Sequence, residues 1–272
     1  MTFTWKFSCI SALLFLSCNT GNLNLVADIP NHLKEVSAVE TFEDSDIFWV
    51  IEDSGKGDRN YVYGIDTNGS IQSRLLILNS KNKDWEDLTT DKKGNLYIGD
   101  FGNNTKKRKK FTIYKVPNII EAKVETTAEA ITFTLPKELD AHDFEAFIEH
   151  NNAFYIFSKD KKSGYVIKVP NTKGAHEAEF MTHFKLSGKD KRITSADIST
   201  DGKTLALLFR DRAVLLSDFY NDDFFSGHLK TIDFNHDSQK EGICFKNNET
   251  LIITDERYGD SGGNIYSISF KN

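Results

Sequence analysis

Five copies of one strand–turn–strand pattern, an abundance of phenylalanine and tyrosine, and little helical periodicity predict an all-β fold of repeated sheets. Of 272 residues, 39% are hydrophobic and 12% aromatic, enough to bury a large core and too apolar for a disordered chain. Phe (21) and Tyr (9) supply most of the aromatic residues, and both favour strands. Residues 137–146 offer at most one short helical turn.

At the amino terminus, Lys6 precedes an apolar stretch from Phe7 to Leu16. That stretch is too short to span a bilayer as a mature helix, and it reads as a signal peptide over residues 1–17. Phe15-Leu16-Ser17-Cys18 resembles a bacterial lipobox, with Phe15 where Leu or Val is usual. The small residue before Cys18 suits signal peptidase II, and the Cys18 thiol would carry the diacylglycerol. A lipid anchor in a membrane is therefore expected, not a span; simple secretion by signal peptidase I is the alternative. Asn19 is compatible with anchoring in the outer membrane of a Gram-negative-type cell envelope. Without an acidic run after Cys18, the expected orientation faces the periplasm.

The clearest repeat is DWEDLTTDKKGNLYIGDFGNN (84–104): a strand, a Lys-Gly-Asn turn, and a second strand ending at Asp100. The same plan recurs in EVSAVETFEDSDIFWVIED (35–53), DFEAFIEHNNAFYIFSK (143–159), TSADISTDGKTLALLFR (194–210) and QKEGICFKNNETLIITD (239–255). Alignment places Val39, Leu88, Phe147, Ile198 and Ile243 in register. The second strands then end at Asp53, Asp100, Lys159, Arg210 and Asp255, with the same interval in the last four copies. Third strands follow at YVYGID, FTIYKVP, GYVIKVP, RAVLLSD and NIYSISF. Fourth strands follow in all copies but the last, at IQSRLLIL, AITFTLP, EAEFMTHFKL and HLKTIDF. The spare segment LNLVADI (23–29) would complete the last blade. The prediction is a β-propeller of five four-stranded blades closed by the N-terminal strand. Residues 18–24 form a tether and 25–272 the single propeller domain. A six-bladed ring would need another copy within 89–147, and none is found there.

In a propeller, the start of each innermost strand and the end of each second strand converge on one mouth of the central channel. Period-two alternation assigns Glu35/Ser37, Asp84/Glu86, Asp143/Glu145, Thr194/Ala196 and Gln239/Glu241 to that mouth. The strand-two ends add Asp53, Asp100, Lys159, Arg210 and Asp255. Nine carboxylates thus face Lys159 and Arg210. Three arrangements would satisfy this charge. Lys159 and Arg210 pair with neighbouring acids while backbone amides serve the rest; or Ca²⁺ sits on the axis, with Glu86, Glu145 and Glu241 as candidate ligands; or the mouth takes a cationic or polyhydroxylated organic ligand. Calcium is preferred to zinc because the mouth supplies oxygens and hardly any histidine or thiolate.

Paired carboxylates also suit general acid–base chemistry, with Glu145 or His142 as candidate catalytic bases. Their presence in nearly every copy argues for repeat architecture over catalysis. Gly259-Asp260-Ser261-Gly262-Gly263 matches a serine-protease nucleophile motif but reads as a glycine-rich turn. Cys244 has no partner in the mature part, so no disulfide framework is expected. The net charge of −6 argues against nucleic acid, and Lys106–Lys110 reads as a solvated basic loop tip.

DWEDLTTDKKGNLYIGDFGNN, DFEAFIEH, ITSADISTDGK and QKEGICF resemble a family of secreted bacterial β-propellers named mostly by fold, similar in style to the SdiA-regulated and esterase-like-phytase-type propellers. The resemblance spans roughly 33–270 and implies a propeller, an envelope location and Ca²⁺ binding, with no settled activity. The functional expectation is a monomeric, membrane-anchored binding or scaffold module for a small molecule or protein at the channel mouth. The alternative is a metal-assisted hydrolase of a phosphate ester, lactone or carboxylic ester.

Overall fold

The computed structural model describes residues 20–53, 60–161, 163–188, 190–259 and 261–271; the expected signal peptide and Cys18 lie outside the described residues. β1 (Asn24–Asp28) comes first and is used last. Blade one holds β2 (Val36–Glu40), β3 (Ile47–Glu52), β4 (Tyr61–Asp66) and β5 (Ile71–Leu78). Blade two holds β6 (Trp85–Thr90), β7 (Leu96–Asp100), β8 (Lys110–Val116) and, beyond the short β9 (Glu125–Thr127), β10 (Glu129–Thr134). Blade three holds β11 (Phe144–His150), β12 (Ala153–Ser158), β13 (Gly164–Pro170) and, beyond β14 (Gly174–Glu177), β15 (Glu179–Phe184). Blade four is β16 (Ser195–Ile198), β17 (Thr204–Leu208), β18 (Arg212–Ser217) and β19 (His228–Asp233). Blade five is β20 (Lys240–Asn247), β21 (Thr250–Asp255) and β22 (Asn264–Ser269), completed by β1 pairing antiparallel with β22. The protein is a five-bladed β-propeller closed by its N-terminal strand, as its repeats predict.

Turn chemistry sets the hairpins. In Lys93-Gly94-Asn95, Gly94 takes φ +80°, and Asp91 Oδ1 accepts from the Lys93 and Asn95 amides. Two connections do more than link strands. β9 pairs parallel with β5 of blade one, and β14 pairs parallel with β10 of blade two. Each adds a fifth strand to the outer edge of the preceding blade, covering hydrogen-bonding groups that an exposed edge would offer to another chain.

Five apolar cores lie between adjacent blades, one at each junction. Val39, Leu88, Phe147 and Ile243 each pack into the core shared with the preceding blade. In blade four that place belongs to Ala196, with Ile193 three residues before it, as Trp85 precedes Leu88. Ile198, the residue aligned from sequence, only packs against the edge of that core. Hydrogen bonds give the same register: Ser37 Oγ donates to the Trp85 carbonyl and Thr194 Oγ1 to the Lys240 carbonyl. The fourth repeat therefore runs two residues earlier than its sequence spacing suggests. Its equal interval arises from a shift in strand pairing, because Ala196 pairs with Leu207 while Leu88 pairs with Ile98.

Candidate functional site

Four of the five innermost strands carry β-bulges just below the mouth, the exception being β16 of blade four. Pairing slips between Val36 and Ala38, Trp85 and Asp87, Phe144 and Ala146, and Lys240 and Gly242. The extra residue in each case is Ser37, Glu86, Glu145 or Glu241. A bulge re-aims one side chain without breaking the sheet. Here it lets Trp85 and Leu88 both pack between blades while Glu86 turns to the channel mouth.

The mouth is a cavity of about 270 Å³ lined by Glu35, Val36, Ser37, Asp53, Glu86, Asn104, Glu145, Lys159, Gln239, Glu241 and Glu256. Six of these are carboxylates and Lys159 is the one ammonium. Lys159 Nζ lies 2.9 Å from Glu145 Oε2. Burial works against the Lys159 charge, but Glu145 and Glu241 hold its pKa above the ordinary lysine value. Burial pushes Glu145 up to about 8 despite this partner, and pushes Glu86 well up with Glu145, Asp53 and Asp84 adding to the effect. Glu256 is raised to about 8 by burial and by neighbouring Glu35. Glu86 Oε1 and Glu145 Oε1 are buried with no donor group beside them, and the two carboxyls lie close enough to share a proton. The mouth thus crowds together more carboxyl groups than its one ammonium can neutralise, and these groups either hold protons or require a further counter-charge.

The predicted residues separate into two groups. Glu35, Asp53, Glu86, Glu145, Lys159, Gln239 and Glu241 line the mouth. Asp84 adjoins it: ligand atoms of Asp53, Asp84 and Glu86 lie within 4.8 Å of one another, whereas Glu145 and Glu241, the other candidate metal ligands, are not in this group. Asp143 accepts from the Asn103 amide at 2.7 Å and anchors the loop after β7. Asp100 and Asp255 are fully buried one place short of the mouth. Asp100 pairs with Arg108 at 2.9 Å, and Asp255 accepts from the Asn264 amide and the Tyr266 hydroxyl. Arg210 leaves the mouth for Asp237 at 2.8 Å.

Strand pairing explains these departures. The amides of Asp53, Lys159 and Glu256 each donate to the carbonyl of Glu35, Asp143 or Gln239 at 2.9 Å, so the fifth blade presents Glu256 and not Asp255. In blade four the corrected register puts Arg192 and Thr194 where Thr194 and Ala196 were expected. The Arg192 charge acts on Glu241 and Glu145 and is itself paired with Asp190. Sequence spacing does not reveal Glu256, Asn104 or Arg192: a bulge offsets the pairing that presents Glu256, Asn104 sits in a loop, and blade four runs two residues earlier than its spacing suggests.

The Gly99–Asn104 loop is pressed onto the acidic group. A Cβ on Gly102 would stand 1.9 Å from Glu86 Oε1 and 2.5 Å from Asp84 Oδ2. Arg108 folds back from the basic run to donate to the carbonyls of Gly102 and Asp100, each at 2.9 Å. His142 does not line the cavity; its Nδ1 meets Asp160 Oδ2 at 2.8 Å and its ring packs on Tyr165. In the Gly259–Gly263 segment, Tyr258 and Ser261 exchange backbone hydrogen bonds, as a turn does, and Asp260 lies outside the described residues.

No protein-family model matches the sequence, and no curated protein sequence matches it. Solved structures do. The PQQ-bound aldose sugar dehydrogenase from Streptomyces coelicolor aligns over 92% of this chain and 98% of its own, with 6% identity and a TM-score of 0.53. A chain of the nidogen/laminin complex aligns over 82% of this chain and 73% of its own, with 8% identity and a TM-score of 0.47. At such identities the likeness is one of fold alone, and that fold is the β-propeller.

Proposed function

We propose that this propeller is a cell-envelope binding or scaffold module, tethered to the outer membrane through an acylated Cys18, and that its acidic mouth holds Ca²⁺. The observation that carries the metal is the convergence of Asp53, Asp84 and Glu86, with a buried and unpartnered Glu86 oxygen beside it. A hard cation with oxygen ligands relieves that crowding, and water and the mouth opening would complete its coordination. Its role is to organise the mouth for a small molecule or a protein surface. Calorimetric titration of the detergent-solubilised full chain with Ca²⁺ tests this. The expected affinity is that of extracellular modules, about 10⁻⁴–10⁻³ M, weakened by Glu86→Gln and by Asp53→Asn. Absence of saturable heat up to about 10 mM Ca²⁺ rules the metal out.

One observation favours a second reading. Glu145, raised to about 8, has the proton affinity of a general acid, and with a metal beside it the mouth would suit hydrolysis of a phosphate ester, lactone or carboxylic ester. Against it stand the Glu145–Lys159 pair and the engagement of His142 with Asp160 away from the cavity. Turnover of generic ester and phosphoester substrates that chelator abolishes would favour the hydrolase over the binding module.

A further inference from the structure

The opposite face of the propeller carries a larger cavity, about 920 Å³, within the size range of small-molecule sites. The two cavities share no lining residue, and the axis between them is crossed by hydrogen bonds. Asp87 on blade two accepts from the Phe147 amide of blade three and from the Ser195 hydroxyl and Ala196 amide of blade four. Ser195 Oγ in turn accepts from the Ile243 amide of blade five. Ala38, Ala146 and Gly242 complete this level, and a Cβ on Gly242 would meet the Val39 nitrogen at 2.5 Å.

Two residues further along each inner strand, the corrected register sets Glu40, Thr89, Ile148, Asp197 and Cys244 at one level. Two of these, Glu40 and Asp197, line the opposite cavity and form its floor. Glu40 is 2% exposed; its Oε1 accepts from the Thr41 amide, its Oε2 is buried without a close donor, and the Thr90 side chain gives the carboxylate weaker support. Asp197 Oδ2 accepts from the Phe245 amide at 2.7 Å, and its charge acts on Glu40. The cavity rim is mixed, with Lys92, Lys93 and Lys115 beside Glu43, Asp91, Glu149 and Asp201. Three of these acids are engaged locally, Asp91 by its own turn and Tyr97, Asp201 by Ser199 and Glu149 by Asn171, whereas Glu43 is exposed, so the lysines are the rim groups left to meet an anion.

We propose that this second cavity binds a small zwitterion of di- or tripeptide size, with its ammonium on Glu40 and Asp197 and its anionic end toward Lys92, Lys93 and Lys115. The unpartnered Glu40 oxygen and the Asp197 carboxylate offer acceptors to an –NH₃⁺ group, and the lysines meet a carboxylate at the far end. A metal ion is a poorer match. Among the described residues the one three-acid group lies at the other mouth, and burial keeps the Cys244 thiol protonated.

The test is calorimetry on the full chain in mild detergent, with trialanine as probe. Saturable binding is expected below about 10 mM. N-acetyl-trialanine should bind about tenfold or more weakly, and Glu40→Gln should weaken trialanine to a similar degree. Glutamine keeps the acceptor for the Thr41 amide, and a thermal melt confirms that the variant is folded. Lys92→Ala combined with Lys93→Ala should weaken trialanine but leave trialanine amide unchanged. Equal binding of the acetylated probe, undiminished binding by a folded Glu40→Gln chain, or no binding at all overturns the proposal. Tighter binding of 1,4-diaminobutane than of trialanine also overturns it, since the rim would then not recognise an anion. Chelation of Ca²⁺ leaves trialanine binding unchanged, which separates this site from the acidic mouth.

Discussion

Replacing Asp87 by alanine removes the one acceptor that ties three blades together across the axis. Its carboxylate takes the Ser195 hydroxyl at 2.8 Å, the Phe147 amide at 3.1 Å and the Ala196 amide at 3.2 Å, all buried. Each buried donor left without a partner costs about 1–3 kcal/mol. Water entering the vacated space would satisfy part of the three. The expected destabilisation is about 3–6 kcal/mol, a large fraction of the 5–15 kcal/mol typical of a folded domain. Asp87→Asn keeps one oxygen acceptor and a similar volume, so its expected cost is smaller, about 1–2 kcal/mol.

Urea unfolding of both variants, followed by tryptophan fluorescence, measures these differences. Trp85 is fully buried between blades one and two and reports directly on the ring. The midpoint should fall strongly for alanine and modestly for asparagine, with the slope unchanged. An alanine variant within about 1 kcal/mol of the parent would falsify the view that Asp87 is the axial tie. Equal losses for both variants would instead mean that volume, and not acceptance, is what the axis needs.

Other consequences follow from single contacts. Gly102→Ala should displace the 99–104 loop or Glu86 and abolish Ca²⁺ heat at the mouth, with trialanine binding retained at the other face. Arg108→Ala loses its pair with Asp100 and two carbonyl contacts, for an expected cost of about 2–4 kcal/mol in urea unfolding. Arg210→Ala, whose pair with Asp237 is exposed, should stay within about 0.5 kcal/mol of the parent. Asp197 is raised from 3.8 to about 7 by burial, so its contribution to stability is complete below pH 4 and is lost as pH rises through 7. The parent chain should therefore lose stability between about pH 4 and pH 7 relative to Asp197→Asn and level off above; parallel pH profiles for the two would contradict this.

Strands with strong alternation or apolar runs were legible in the sequence. YVYGID, GYVIKVP and IQSRLLIL coincide with β4, β13 and β5, and the closure by residues 23–29 followed from counting strands. The short clasps β9 and β14 were not legible, because ETT and GAHE carry polar residues whose pairing depends on a neighbouring blade. Bulges hid the finer register. An extra residue at Glu86 or Glu145 leaves the periodicity of the sequence intact while rotating the side chain. Asp255 and Glu256 differ by one position, so only the pairing partner, Gln239, decides which of them reaches the mouth. Arg192 was missed for the same reason: Ile198 and Ala196 are both plausible core residues, and only packing against blade three separates them.

The corrected register also changes what repetition means for function. Residues that pack between blades vary little in kind: Val39, Leu88, Phe147, Ala196 and Ile243 are all apolar because each faces the same junction. Acids at the upper mouth recur for a related reason, since each bulge delivers a side chain to the same rim. Repetition there weakens any assignment of one carboxylate to catalysis. At the level of Glu40 and Asp197 the symmetry breaks, with threonine, isoleucine and cysteine in the other three blades. A buried acid at such a position is not needed to build a blade, because three blades are built without one. Its desolvation works against the fold, which burial of Glu40 shows in its raised proton affinity. Asp197 is in part used to hold the Phe245 amide of the next blade, whereas Glu40 serves only the amide beside it; the pair, and Glu40 above all, marks the lower cavity as the place where a ligand supplies the missing charge.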